Sequence, residues 1–344
     1  MDTLNIIFFL LGSTVFSPYF NSQDIHKGLD EPMWTPFGVK YRKGSIPATI
    51  LLVYATCQAS ELIGYNLFCD FGKVLQFLRL CYLGKGNFYH DQVSATQRQG
   101  IRSIVNTTAM AYFFIIYAKA KGVEISFFKT ELNAIKNAIK KSQRADGFFP
   151  YSEPGIWQHI FFKMHYFLPR KIYNLHNKIL GDRSIFFGDA IHHIIVIYYY
   201  LLAKWYDQVP LNKSEKSMIS RAFQFVQSHF FTQNDGTIMF DFSWEPKPEK
   251  PRYCNFLDTS AYFYILALLK YLVRFNLVTE EKRAIYTNGL LGYIKKYLLR
   301  EGEPCLAAYQ GGETFRRNLM RRPSESVFDK GFLLSELVDE TTGK

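Results

Sequence analysis

The chain has 344 residues, a formal net charge of +11, and 48% hydrophobic against 21% charged residues, a balance ordinary for a globular protein. Its lysines and arginines are dispersed along the chain, and neither zinc-finger spacing nor an aromatic RNA-binding motif accompanies them, so the charge does not read as nucleic-acid binding. An anionic membrane surface or an acidic polysaccharide fits it at least as well. No phosphate-binding loop, dinucleotide fingerprint, Gly-x-Ser-x-Gly or Cys-x-x-Cys pair occurs, which argues against nucleotide hydrolysis and nicotinamide chemistry; no cofactor and no metal are expected.

Along the chain, Ile6-Ile7-Phe8-Phe9-Leu10-Leu11 comes first. With Asp2 before it and no Lys or Arg before Lys27, it reads as a first core helix rather than a secretory signal. It is also too short to span a bilayer. Residues 21–45 read as loop, from Gly28, Pro32, Pro36, Gly38 and Gly44. Helices are then predicted over 46–64, 73–82, 100–121 and 126–144, the last with Ser126 as cap. Residues 155–184 break the pattern and read as an insertion. Further helices are predicted over 188–206, 214–231, 258–275 and 279–300, with Thr279 as cap, and a last one near 327–338.

These helices alternate in character. Residues 188–206 and 258–275 are apolar nearly all round, as buried helices are. Residues 126–144, 214–231 and 279–300 have one apolar face and one wet face. The outer, amphipathic helices end in a repeated motif. Gln143-Arg144-Ala145-Asp146-Gly147-Phe148-Phe149 closes one and Gln233-Asn234-Asp235-Gly236-Thr237-Ile238 closes another, with a weaker third copy at Arg300-Glu301-Gly302. The copies lie about 90 and 65 residues apart. Buried helix, amphipathic helix, turn is the grammar of an all-α fold, the α/α toroid, complete or incomplete as a six-hairpin barrel, with short β stubs after the turns. Nothing divides the chain into independent domains, so residues 1–344 read as one.

In a toroid the inner-helix N-termini share one mouth, where polar caps converge and helix dipoles favour anions. Asp189, His192 and His193 begin one inner helix and Asp258 begins another. As N-caps the aspartates are structural. As a pair across the mouth they are acid and base candidates, and either histidine shares a helix face with Asp189. Arg102 belongs to the start of an earlier inner helix, while Tyr151 and Glu153 follow the first turn, and Asp241 and Trp244 the second. A ring that stacks beside an acid that takes hydroxyls suits sugar recognition. The 32 Phe and 23 Tyr are open to the same two readings: plain core packing, or an aromatic-lined cavity for a sugar or a carbocation. Cys57, Cys69, Cys81, Cys254 and Cys305 follow no metal-ligand spacing and read as reduced thiols of a cytosolic protein.

The order of Gln23-Asp24-Ile25-His26-Lys27-Gly28-Leu29, the Gln143–Tyr151 turn, Gly188-Asp189-Ala190-Ile191-His192-His193, Asp235-Gly236 and Leu257-Asp258-Thr259-Ser260-Ala261 resembles the VpsJ-like polysaccharide-biosynthesis proteins. That resemblance implies a toroid like that of the six-hairpin glycosidases, working with exopolysaccharide or capsule machinery. Its partners would be an oligosaccharide or polysaccharide, together with a biosynthetic complex or the inner membrane surface, and its location cytoplasmic. Hydrolase, lyase and epimerase chemistry all remain open, as does a non-catalytic glycan- or partner-binding toroid. The Gln143–Phe149 turn is also similar to the repeats of terpenoid cyclases, which leaves an isoprenoid enzyme as a further alternative.

Overall fold

A computed structural model describes residues 29–35, 38–63, 70–92, 95, 105–150, 190–241 and 260–298. The helix expected at 6–11, the insertion at 155–184, the third turn copy and the helix near 327–338 lie outside the described residues. An antiparallel hairpin opens the described chain, with β1 (Leu29–Thr35) paired to β2 (Gly38–Ser45). The expectation of loop is thus corrected over 29–35 and 38–45: Pro32, Gly38 and Gly44 are accommodated in a two-stranded ribbon with Thr35 opposite Gly38.

Among the described residues eight helices follow in alternation. The inner ones are α1 (Ile46–Ile63), α3 (Val105–Ala120), α5 (Ala190–Asp207) and α7 (Ser260–Arg274). The outer ones are α2 (Phe71–Leu80), α4 (Ser126–Ser142), α6 (Lys213–Gln227) and α8 (Glu280–Tyr293), the last running into a π turn at Ile294–Leu298. Each inner helix packs on the next, α1 on α3, α3 on α5 and α5 on α7, and each outer helix backs its own inner one. This is the α/α toroid.

Burial separates the two layers as the residue pattern predicts. Every residue from Val105 to Ala118 of α3 is buried. In α4 only Phe128, Ile135, Ala138 and Ile139 are, at spacings of three, four and seven that mark one helix face. Caps set the outer starts. Asn212 caps α6 with its side chain on the Glu215 N–H, and Glu215 returns the bond to the Asn212 N–H. Thr279 caps α8 as expected. Ser126 does not cap α4: Ile125 holds that position without a side-chain bond, and Ser126 is already helical.

Ring contacts advance together along neighbouring inner helices. Tyr112 meets Tyr200 and Tyr117 meets Tyr206; Tyr199 meets Tyr264 and Trp205 meets Tyr271. The inner helices are therefore parallel, and their N-termini lie at one end. Toward the other end the inner helices are packed with rings. Tyr54, Phe113, Tyr117 and Tyr206 pack edge-on and stacked, and the Gln58 amide donates to the Tyr206 hydroxyl at 2.8 Å and the Tyr117 hydroxyl at 3.4 Å. In these residues the aromatic richness is core packing.

A buried ion pair ties the layers there as well. Glu215 lies 2.9 Å from Lys204 and accepts from the Tyr200 hydroxyl at 2.7 Å. Burial raises the Glu215 carboxyl, but the Asn212 N–H, Lys204 and Tyr200 outweigh it and hold the group below its ordinary range. Cys81 is a free, buried thiol, pushed well up by burial and by nearby Asp91. Cys57 is disulfide-bonded. That corrects the expectation of a reduced thiol at Cys57, while Cys81 is free as expected; Cys69, Cys254 and Cys305 lie outside the described residues. Among the described residues no helix is long and apolar enough to cross a membrane.

Candidate functional site

Polar side chains and chain crossings gather at the inner-helix N-termini. Three arms of chain lead there, each leaving a turn that closes an outer helix. The first follows α2: strands β3 (Tyr82–Gly84) and β4 (Asn87–Phe88) flank Gly84-Lys85-Gly86. The second is the Asp146-Gly147 turn after α4. The third follows α6, where β5 (Phe230–Thr232) and β6 (Ile238–Phe240) flank Asp235-Gly236.

Each arm is anchored by a polar group in the first turn of an inner helix. His90 Nδ1 is 2.9 Å from Thr107 Oγ1 of α3. The Phe149 N–H donates to His193 Nδ1 of α5 at 2.9 Å. The Phe240 N–H donates to the Tyr262 hydroxyl of α7 at 3.1 Å. The first arm also reaches α1, where the Ile46 N–H donates to the His90 carbonyl at 3.0 Å and Ser45 bridges Asp91.

The anchors deliver carboxylates. Asp91 follows anchored His90, and Asp241 follows anchored Phe240; each is the fifth residue after its turn glycine, Gly86 or Gly236. Both are buried beside the start of an inner helix. Asn106, in the first turn of α3, is buried with its Oδ1 lacking a hydrogen-bond partner, and so is the Thr108 Oγ1. The Gly-Lys-Gly turn lacks the Asp-Gly signature, so His90 and Asp91 escaped the sequence reading; their distance from a turn glycine was the available signal.

The two candidate histidines part company. His193 is fully buried, stacked on Phe148 and Phe149, and accepts the Phe149 N–H while its Nε2 lies 2.9 Å from the Ala222 carbonyl of α6. This is a neutral ring with the proton on Nε2, and burial lowers its pKa to about 3. Both nitrogens are spent on backbone, which leaves neither for a substrate. His192, one residue earlier, is only half-buried. Asp189, Asp258, Arg102, Tyr151, Glu153 and Trp244 lie outside the described residues. Asp241 is the expected substrate-binding residue that the structure does bring to this end. Among the described residues no three His, Cys, Asp or Glu side chains gather closely enough to hold a metal ion.

No protein-family model and no curated protein matches the sequence. Solved structures do match over nearly the whole chain. An unsaturated glucuronyl hydrolase specific for heparin superposes with a TM-score of 0.54 at 12% identity, covering 99% of this chain and 97% of that one. An unsaturated glucuronyl hydrolase from Bacillus sp. GL1, responsible for the degradation of glycosaminoglycan, gives 0.48 at 11% identity over 99% and 97%. A possible member of the GH105 family from Klebsiella pneumoniae gives 0.40 at 10% identity over 98% and 93%. At 12% identity the likeness to the heparin-specific enzyme is one of fold, and it is the toroid read from the helices above.

Proposed function

We propose that this protein is a glycan-modifying enzyme whose acid and base groups stand at the inner-helix N-termini. The observation that carries the reading is the repeat-equivalent pair Asp91 and Asp241. Two arms of unlike sequence each bring a buried carboxylate to the same end of the ring, beside helix N-termini that favour negative charge. Asp189 and Asp258, which come just before Ala190 and Ser260 in the sequence, would belong to the same set, with His192 as the imidazole partner and His193 holding the arm that leads to Tyr151 and Glu153. Arg102, Tyr151, Glu153, Asp241 and Trp244 would bind the sugar. The substrate is an oligosaccharide or polysaccharide, and hydrolase, lyase or epimerase chemistry is compatible with paired carboxylates.

Surface-polysaccharide biosynthesis, with the protein in the cytoplasm and peripheral to the inner membrane, is the setting proposed from the family resemblance. The disulfide at Cys57 weighs against the cytoplasmic part of it. Cell fractionation of a tagged full-length chain decides that point.

The chemistry is tested by incubating the protein with a panel of acidic and neutral oligosaccharides and reading the products by mass. Asp91→Asn alone, and Asp189→Asn with Asp258→Asn, are expected to lower turnover by two orders of magnitude or more, on the order of what a positioned acid or base contributes. Wild-type turnover in both variants, each melting as the parent does, would sink the assignment. Sugar binding without turnover in the parent would replace it with a non-catalytic glycan-binding toroid.

A further inference from the structure

Asn106 heads the stripe of α3 that faces the inside of the toroid. Helices α1 and α5 flank α3, yet Tyr54 of α1 and Tyr206 of α5 reach past it and place their hydroxyls 3.1 Å apart. Phe113 and Tyr117 of α3 each touch both of those side chains, so they mark its inward face. Asn106 lies seven residues before Phe113 and eleven before Tyr117, about two and three turns, which return a helix to the same face. On α5, Tyr199 meets Phe113 at 5.3 Å and marks the matching step. His192 precedes Tyr199 by seven residues, as Asn106 precedes Phe113. In parallel helices, equal steps from one contact bring Asn106 and His192 to one level on the inward side. Solvent reaches that level. Between Ala190 and Lys204 only His192 and Ile195 escape full burial, and His192, Ile195 and Tyr199 follow at the three- and four-residue spacings of a single helix face. Asn106 is 5% exposed, and its Oδ1 accepts no hydrogen bond. Its neighbour Thr107 is committed to His90.

We infer that Asn106 is a substrate-binding residue, its amide oxygen taking a hydroxyl or an N-acetyl N–H of the sugar on the side that His192 shares. A buried acceptor without a donor destabilises the fold that keeps it, and a bound sugar supplies the donor. The inference rests on the glycan reading above and narrows it. An acceptor pairs with a donor, so the Asn106 Oδ1 meets a hydroxyl or acetamido edge of a pyranose and not its carboxylate.

The test measures the affinity of the full-length chain for maltotriose, chitotriose and trigalacturonate by calorimetry, beside its unfolding in denaturant. Asn106→Leu keeps the size of the side chain and removes the amide. It should weaken binding about tenfold yet unfold at the parent's midpoint or above it, because an unpaired acceptor leaves the core. Asn106→Ala should weaken binding by about as much, and it decides the matter where the leucine variant does not fold. Tyr206→Phe should do the reverse, with a lower midpoint and an affinity within about twofold of the parent. Parent-like affinity in the Asn106 variants, whatever their stability, would show that the amide meets only water or the fold; that overturns the inference and leaves the glycan reading standing. A parent chain that binds none of the three sugars would overturn both.

Discussion

A Cβ on Gly147 would sit 2.3 Å from the carbonyl oxygen of Arg221. The turn that closes α4 is thus pressed directly onto the backbone of the next outer helix. The Gln143 amide reinforces it, donating to the Met218 carbonyl at 2.8 Å, while Arg221 donates to Gln143 Oε1 at 2.9 Å. The same relation recurs around the arc. Gly86 lies against Ala134, the ninth residue of α4, as Gly147 lies against the ninth of α6. After α6 the roles invert: Ile238 of the hairpin presses on Gly289 of α8. Each hairpin therefore fastens the one after it, through a contact that leaves no room for a side chain.

Gly147→Ala meets both that backbone and a φ of +94°. It should cost about 3 kcal/mol or more of stability in denaturant unfolding. Gly236→Ala has a similar φ, +79°, but open space around it, and should cost about 1 kcal/mol. Equal losses would mean that the close approach to α6 contributes nothing.

His193 makes stability depend on acid in a definite window. Its pKa is about 3 in the fold against an ordinary 6.5, so between those values the unfolded chain binds the extra proton. Stability is full above the ordinary value and falls as pH drops toward the folded one, by up to about 1.4 kcal/mol per pH unit. His193→Gln should be less stable at neutral pH yet flatter over this range. A parallel pH profile for parent and variant would show that other groups govern it.

Removing one member of the Lys204–Glu215 pair strands the other in the core. Glu215→Gln and Lys204→Met should each cost about 3–5 kcal/mol, and the double variant less than their sum. The Glu215 contribution is present above the ordinary carboxylate range and lost as pH falls through the group's lowered value. Additive losses in a denaturation cycle would contradict a coupled pair.

Away from the inner-helix N-termini, Tyr206→Phe removes the hydroxyl that takes the Gln58 amide and faces the Tyr54 hydroxyl at 3.1 Å. A loss of about 1–2 kcal/mol is expected, with glycan turnover unchanged. Lower turnover at equal stability would place chemistry at the wrong end of the ring.

Much of the layering was legible in the chain because burial writes itself as periodicity. The unbroken apolar run of α5 reads as an inner helix, and the one-sided pattern of α6 as an outer one, since a helix face that meets water must carry groups that water accepts. The arms were half legible. Asp146-Gly147 and Asp235-Gly236 announce their turns by residue type, whereas Gly84-Lys85-Gly86 does the same work with Lys85 at a φ of 52° and no aspartate. Local sequence does not separate those cases from an ordinary helix end, so the arm carrying His90 and Asp91 went unread.

The residues alone determined that buried and half-wet helices alternate and that polar groups gather where inner helices begin. Which of those groups are committed to holding the fold together was decided by packing. His192 and His193 are chemically identical neighbours, and no periodicity separates an acid–base group from a strut. Folding sets them apart. The ring whose lone pair meets the Phe149 N–H and whose N–H meets the Ala222 carbonyl becomes a joint between layers. Both partners are distant in the chain, Phe149 by 44 residues and Ala222 by 29, and a hydrogen bond of that kind exists only once the helices have come together.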